Sequence, residues 1–158
     1  MRLLNNVILI FRKLHLAIAK GDDIAVHYLI AVAHSCSSSH LLDIRDKQHG
    51  HTALHLVVAA DRPSIVRLLI VAGASPNVRS RRGRTPLLVA CARGLLRCIS
   101  LLLRPVDDDE RARLTKYCTD VRLPASQLPL PPVYLPETNL LDCEGKVLMF
   151  ICITAASK

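Results

Sequence analysis

The chain has 158 residues, a hydrophobic fraction of 51% and an aromatic fraction of 3%, so its core must be built from aliphatic side chains. The scarcity of aromatic rings argues against a surface that stacks bases or sugars, and the net charge of +8 fits an acidic protein, nucleic acid or a membrane surface without choosing among them. The 6 cysteines form no Cys-x-x-Cys pair, so we expect reduced cytosolic thiols rather than a metal knuckle or a disulfide framework.

The first 13 residues, MRLLNNVILIFRK, form an apolar N-terminal segment. The apolar run is too short for a membrane span, which needs about 20 residues. No small-residue cleavage site follows it, although a secretory signal would require one. We therefore expect a terminal helix or strand that covers the structure following it, with a secretory signal as the alternative.

The first helical unit covers about residues 14–46 and begins with LHLAIAKGDDIAVHYLIAV. Leu14 opens the first helix, and Asp22 is a suitable N-cap for the second. The polar stretch HSCSSSH, from His34 to His40, then lengthens this unit. Such an insertion in a loop leaves the packing of the helices undisturbed.

Two similar units follow at about residues 47–79 and 80–105. They open with GHTALHLVV and GRTPLLVAC, and Thr85 follows Thr52 by 33 residues. Each contains two short apolar helices separated by a turn. Pro63 suits the first turn of a helix, Gly73 suits a left-handed C-cap, and Pro105 ends the third unit.

The pattern stops after Pro105. We expect an acidic and Pro-rich insertion or linker over residues 106–138, with a weak amphipathic helix in VDDDERARLTKYC. Residues 139–158 are interpreted as an incomplete fourth repeat and a divergent tail. The clustered prolines exclude a helix or a central strand from the middle of this region.

A 33-residue period with Thr-x-Leu-His phrases is typical of ankyrin repeats. We therefore predict an all-α ankyrin-repeat solenoid of about three helix-turn-helix repeats, with an irregular Pro-rich C-terminal region. The threonines would cap helices, the phrase histidines would bridge adjacent loops, and the leucines would anchor the stack. Leu88 stands where the third repeat would have its histidine. The predicted structural anchors are Leu14, His15, Gly50, Thr52, Leu54, His55, Gly73, Gly83, Thr85 and Leu87.

The sequence predicts no catalytic site, no metal site and no cofactor. His15 and His55 are explained by the repeat phrase, and no Ser or Cys nucleophile is placed beside a histidine. His51 and His55 have the four-residue spacing of helical metal ligands, but Thr52 should begin the helix and leave His51 outside it. We expect a protein that is not an enzyme.

The charged loops are the candidate partner-binding sites. The basic cluster lies between the second and third repeats, where the loops of an ankyrin stack project, and it suits an acidic partner surface; a solvated loop is the alternative. The acidic run at the start of the last predicted helix suits a basic segment, or is a solvated helix start. No base-reading motif accompanies the arginines, so we expect no direct nucleic-acid binding and no membrane contact. The candidates are Arg45, Asp46, Arg79, Arg81, Arg82, Arg84, Asp107, Asp108 and Asp109.

The order of repeats and insertions resembles the inhibitor-of-NF-κB family. The stretches LLDIRDKQHGHTALHLVV, VRLLIVAGASPNVRSRRGRTPLLVACARGLLRCISLLL and LPETNLLDCEGK carry the resemblance, which is greatest to the insect, Cactus-type members; the short virus-encoded inhibitors also fit. It implies a monomeric module that binds a Rel/NF-κB-type transcription factor and retains it in the cytoplasm, with shuttling to the nucleus, by covering its nuclear localisation region. In insects this implies Toll signalling and innate immunity. A generic ankyrin scaffold for an unrelated partner and a non-functional truncated isoform are the alternatives.

Overall fold

The structure, a computed structural model, describes residues 12–35 and 39–120. In these ranges the chain is helical, without strands, and no helix is both long and apolar enough to span a bilayer. The predictions for residues 1–11 and 121–158 lie outside them. The helices are α1 (12–20), α2 (Asp23–Ser35), a 3-10 helix (Ser39–Asp43), α3 (Ala53–Ala59), α4 (Pro63–Val71), α5 (Pro86–Arg93), α6 (Leu96–Leu103) and α7 (Asp108–Asp120).

Three helix pairs stack side by side: α1 with α2, α3 with α4, and α5 with α6. Helix α3 packs on α5 in the inner row, and α4 packs on both α2 and α6 in the outer row. This arrangement confirms the predicted all-α solenoid of three repeats. Each pair leaves one face for the next, so the stack buries a continuous core.

The same leucine anchors each repeat. Leu14, Leu54 and Leu87 begin the inner helices, and their exposed fractions are 0%, 0% and 1%. Burying one such side chain stabilises the fold by about 1.5–3 kcal/mol. The core around them is aliphatic, as the composition requires.

Two loops, the second finger (45–51) and the third finger (79–84), project before α3 and α5. Each closes on itself through a backbone hydrogen bond, from Asp46 N to His51 O (2.8 Å) and from Ser80 N to Arg84 O (2.8 Å). The fingers are joined by Arg81 N, which donates to His49 O (2.9 Å). Gly50, at φ 69°, makes this approach possible, because a Cβ atom there would lie 3.0 Å from Arg81 N.

Residues 106–120, the described part of the predicted insertion or linker, contain the helix expected in VDDDERARLTKYC, and the structure adds that this helix packs on the repeats. Helix α7 turns back across the outer row and packs on α2 and α4, with Leu114 and Cys118 buried. Arg67 of α4 fastens its start by an ion pair with Glu110 and donates hydrogen bonds to the carbonyls of Arg104 (2.9 Å) and Pro105 (2.7 Å). The burial of these side chains and the contacts of the Arg67 guanidinium therefore make α7 part of the fold.

The turn inside each helix pair needs a left-handed residue. Gly21 and Gly94 supply it in the first and third repeats, with φ of 80° and 67°. The second repeat has Asp61 at this place, with φ of 50°, and it is the only described non-glycine residue with positive φ. A side chain in this conformation costs about 1–2 kcal/mol.

Candidate protein-binding site

His55 connects α3 to the third finger. Its Nδ1 accepts from Thr52 N (3.2 Å) and contacts Thr52 Oγ1 (2.9 Å), and its Nε2 lies 2.9 Å from Arg84 O. The backbone donor at Nδ1 assigns the proton to Nε2, which then donates to the carbonyl. Burial lowers the pKa of His55 to about 4, so the ring stays neutral at physiological pH.

The first repeat has the same kind of histidine bridge, whereas the third repeat has a leucine at the equivalent position. His15 Nε2 lies 3.4 Å from His51 O, whereas Leu88 occupies this place in the third repeat and is buried. There the Thr85 hydroxyl caps α5 by accepting from Leu88 N (3.3 Å). The histidine bridges therefore fix the second and third fingers to the inner helices.

Between the two fingers and the inner helices lies a cleft of about 390 Å³, which we call the basic cleft. Its described lining contains four arginines and three histidines, and none of the lining residues is an aspartate or a glutamate. Alanine and valine form an apolar part of its wall. The described lining residues are Gln48, His49, His51, His55, Ala59, Ser80, Arg81, Arg82, Arg84, Val89 and Arg93.

The arginines reach the basic cleft from two elements. Arg81 and Arg82 lie exposed on the third finger, and no carboxylate of the described chain forms an ion pair with either. Arg93 ends α5 and donates a hydrogen bond to the Ala59 carbonyl, which ties it to α3. Positive charge in a concave site raises the local concentration of anions.

The second finger adds two histidines. The rings of His49 and His51 have centroids 5.3 Å apart, and His51 stacks on His55 at 5.5 Å. Burial lowers the pKa of His51, Asp46 acts in the opposite sense, and His49 and Arg82 lower it further. Within residues 12–35 and 39–120, no three His, Cys, Asp or Glu side chains converge as metal ligands.

The one hydroxyl group in the described lining of the basic cleft belongs to Ser80. Ser80 is buried, and its Oγ accepts from Arg84 N (3.3 Å) as part of the finger turn. The described cysteines are buried, and none lines the cleft. Burial and a hydrogen bond to Asp61 raise the pKa of Cys98 to about 11, so this thiol is inert.

The structure separates the predicted partner-binding residues. Arg81, Arg82 and Arg84 meet in the basic cleft, whereas Arg45 and Arg79 lie exposed on the fingers without lining it. Asp46 has a structural position, because its Oδ1 accepts from His49 N (2.6 Å) and Gly50 N (2.9 Å) within its own turn.

The acidic run lies at the start of α7, packed beside the outer row. Asp107 pairs with Arg104 at 2.9 Å, and Asp108 lies 3.8 Å from Arg111 with a side chain that is 97% exposed. Asp109 is also exposed. This second charged surface is distinct from the basic cleft.

The sequence pattern did not indicate that several other side chains would line the basic cleft, among them His49, His51 and Arg93. A signal for Arg93 was present, because Val89 and Arg93 are four residues apart and so share one face of α5. His51 was considered only as a metal ligand. The convergence of these side chains depends on the contact between two fingers more than 30 residues apart.

A stack of helix pairs with projecting fingers is a protein-binding scaffold. The family model described as "Ankyrin repeats (3 copies)" matches residues 14–115, and the chain belongs to the ankyrin-repeat family. It is 37% identical to human NF-kappa-B inhibitor epsilon in an alignment of 118 positions, and the match covers 67% of this chain and 22% of the inhibitor. It is also 41% identical to the E3 ubiquitin-protein ligase KEG of Arabidopsis thaliana over 71 residues, 42% of this chain and 4% of the ligase.

The crystal structure of the ankyrin repeat domain of Bcl-3, which its description calls a unique member of the IkappaB protein family, is also similar. It matches with a TM-score of 0.62 over 91% of this chain and 51% of that chain. At 24% identity, the match supports the fold alone. The chain spans less than a quarter of the length of the two curated relatives above.

Proposed function

We propose that this ankyrin module binds a Rel/NF-κB-type transcription factor and retains it in the cytoplasm. The observation that carries the proposal is the 37% sequence identity to an NF-kappa-B inhibitor in a match that covers 67% of the chain. The exposed finger arginines of this stack give it a surface for a protein partner. A closer relation to the Cactus-type insect members and a place in Toll signalling stay predictions.

The charges of the described surface suggest where each part of such a partner would lie. A basic nuclear localisation segment would be repelled by the basic cleft and attracted to the acidic start of α7, where Asp107, Asp108 and Asp109 are exposed. Surface charges of this kind direct orientation and association rate more than affinity. The acidic start of α7 would therefore be the surface that covers the localisation region.

The test combines binding with localisation. The full chain, immobilised, should capture a purified Rel-homology protein at micromolar concentration, and its co-expression should move a fluorescent Rel protein from the nucleus to the cytoplasm. Replacing Asp107, Asp108 and Asp109 by Asn should weaken retention. Absence of capture at micromolar concentration would contradict Rel binding, whereas capture with an unchanged nuclear signal would contradict retention alone.

A further inference from the structure

We propose that the basic cleft binds a short acidic segment of a partner protein, in which carboxylates flank one apolar side chain. This rests on the proposed function only in so far as the module binds proteins, and it adds the chemistry of the bound segment. The cleft lies between the second and third fingers, apart from the acidic start of α7.

The basic cleft contains arginines that lack a countercharge from the described chain. On the outer row, Arg62, Arg67 and Arg104 pair with carboxylates of the chain itself. In contrast, Arg81 and Arg82 have no carboxylate within 4.0 Å in the part of the chain that the structure describes. The nearby Asp46 carboxylate is held by the backbone of its own turn through Oδ1 and lies 3.8 Å from His51 Nδ1 through Oδ2, so incoming carboxylates would supply the countercharge that Arg81 and Arg82 lack.

The backbone around the basic cleft is held in place by hydrogen bonds. The third finger is fixed by hydrogen bonds from Ser80 N to Arg84 O, from Gly83 N to Ser80 O (2.9 Å) and from Arg81 N to His49 O. His55 holds the Arg84 carbonyl from below. The backbone that carries the arginines is therefore already ordered, which reduces the entropy that binding must remove.

The length of the basic cleft and the order of its side chains fit a short peptide segment. From Pro86 to Arg93, α5 rises by about 10 Å at 1.5 Å per residue, a span that about three residues of extended peptide cover. Arginines stand at both ends of this wall, on the third finger and at Arg93. Val89 lies between them in sequence along this wall, and the other apolar lining residue, Ala59 of α3, lies beside Arg93, which donates to its carbonyl. This order of charged, apolar and charged groups matches an acidic segment with one central apolar side chain.

The composition of the lining distinguishes a peptide from nucleic acid. The only rings in the described lining are the imidazoles of His49, His51 and His55, whereas bound single strands usually stack on Phe, Tyr or Trp. The arginines also surround one short cleft rather than a track along which successive phosphates could lie. A basic segment is excluded, because the arginines of the basic cleft would repel its positive charge.

The experiment measures fluorescence anisotropy of a labelled peptide, GGEELEEGG, with the full chain at low salt. The peptide should bind, and the double variant Arg81→Glu/Arg82→Glu should lower its affinity at least tenfold. Arg97→Glu/Arg113→Glu is the matched control, because it makes the same change in net charge at two exposed positions on the outer side. It should alter the affinity less than threefold, and thermal melts of all variants verify folding.

The inference would be overturned if the uncharged peptide GGQQLQQGG bound as tightly as the acidic one. It would also be overturned if the control variant lost as much affinity as the cleft variant. The third contrary outcome is a 12-nucleotide single-stranded DNA that outcompetes the acidic peptide with the same dependence on Arg81 and Arg82. Rel capture is measured separately with the same variants. Rel capture without peptide binding would refute only this inference, and peptide binding without Rel capture would refute only the Rel assignment.

Discussion

Replacing His55 by Leu would copy the chain's own third repeat, where Leu88 occupies the equivalent position. The variant loses the Nδ1 acceptor used by Thr52 N and the Nε2 donor that reaches Arg84 O. Each neutral hydrogen bond contributes about 1 kcal/mol, and a buried donor left without a partner costs about 1–3 kcal/mol. Because Thr52 is fully buried, we expect the free energy of unfolding to fall by about 3 kcal/mol at pH 7.5.

The same variant should lose most of its disadvantage in acid. His55 has a folded pKa of about 4 against its ordinary 6.5, so the unfolded chain binds the proton more tightly. The stability contribution of neutral His55 is present above pH 6.5 and is lost as pH falls toward 4. From pH 7.5 to 5.0 this amounts to about 2 kcal/mol, at 1.36 kcal/mol per pKa unit. The difference between wild type and His55→Leu should therefore shrink to about 1 kcal/mol.

Urea unfolding followed by circular dichroism at pH 7.5 and pH 5.0 measures both values. Burial raises the pKa of Asp43 to about 6, which acts in the opposite sense on wild-type stability, but this group is common to both proteins and cancels in the difference. Leu88→Ala is the control and should give the same loss at both pH values. A His55→Leu difference that stays at about 3 kcal/mol at pH 5.0 would refute the reasoning.

Three further predictions concern the helix-pair turn, the docked helix and the basic cleft. Asp61→Gly should raise the free energy of unfolding by about 1 kcal/mol, because it removes a side chain from a left-handed backbone conformation. Gly94→Ala should lower the free energy of unfolding by about as much. A thermal melt in which both variants are less stable than the wild type would contradict this. Arg67→Met should lower the free energy of unfolding by about 2 kcal/mol, since it breaks a partly buried ion pair. It should also speed amide hydrogen exchange in α7 but not in α5. An equal change of exchange rate in both helices would argue against local docking of α7. Binding of the acidic peptide should strengthen as the pH falls from 8 to 5.5 because His51 gains charge, mostly at the acidic end of this range, since burial lowers the pKa of His51. His51→Gln should remove most of this pH dependence while Asp46, Arg82 and His55 still face the site, and an unchanged pH profile would exclude His51 as its source.

The repeat architecture was predictable because its signals are local. The phrase around Thr52 recurs around Thr85, and the apolar period and the turn residues lie within a few positions of one another. The burial of Leu54 and Leu87 and the contacts of His55 follow from the same phrases. A repeated local pattern specifies its own neighbours, since each unit packs against a copy of itself.

The basic cleft and the docked helix were not predictable in the same way. Arg67 and Glu110 are 43 residues apart, and Cys118 lies 3.8 Å from the carbonyl of Ala31 across 87 residues. No local period encodes such a return of the chain. The weak amphipathic pattern of VDDDERARLTKYC predicted a helix at most, without the surface that it covers.

By itself, the sequence determined the helix pairs, their 33-residue pitch and the leucines and histidines that hold them, because these features repeat along the chain. Only the tertiary structure decided that His49 and His51 meet Arg81 and Arg93 around one cleft, and that Asp46 serves its own turn. The physical reason is that charge acts through space. Stacking places two fingers side by side, and the sign of the site depends on which side chains that contact brings together.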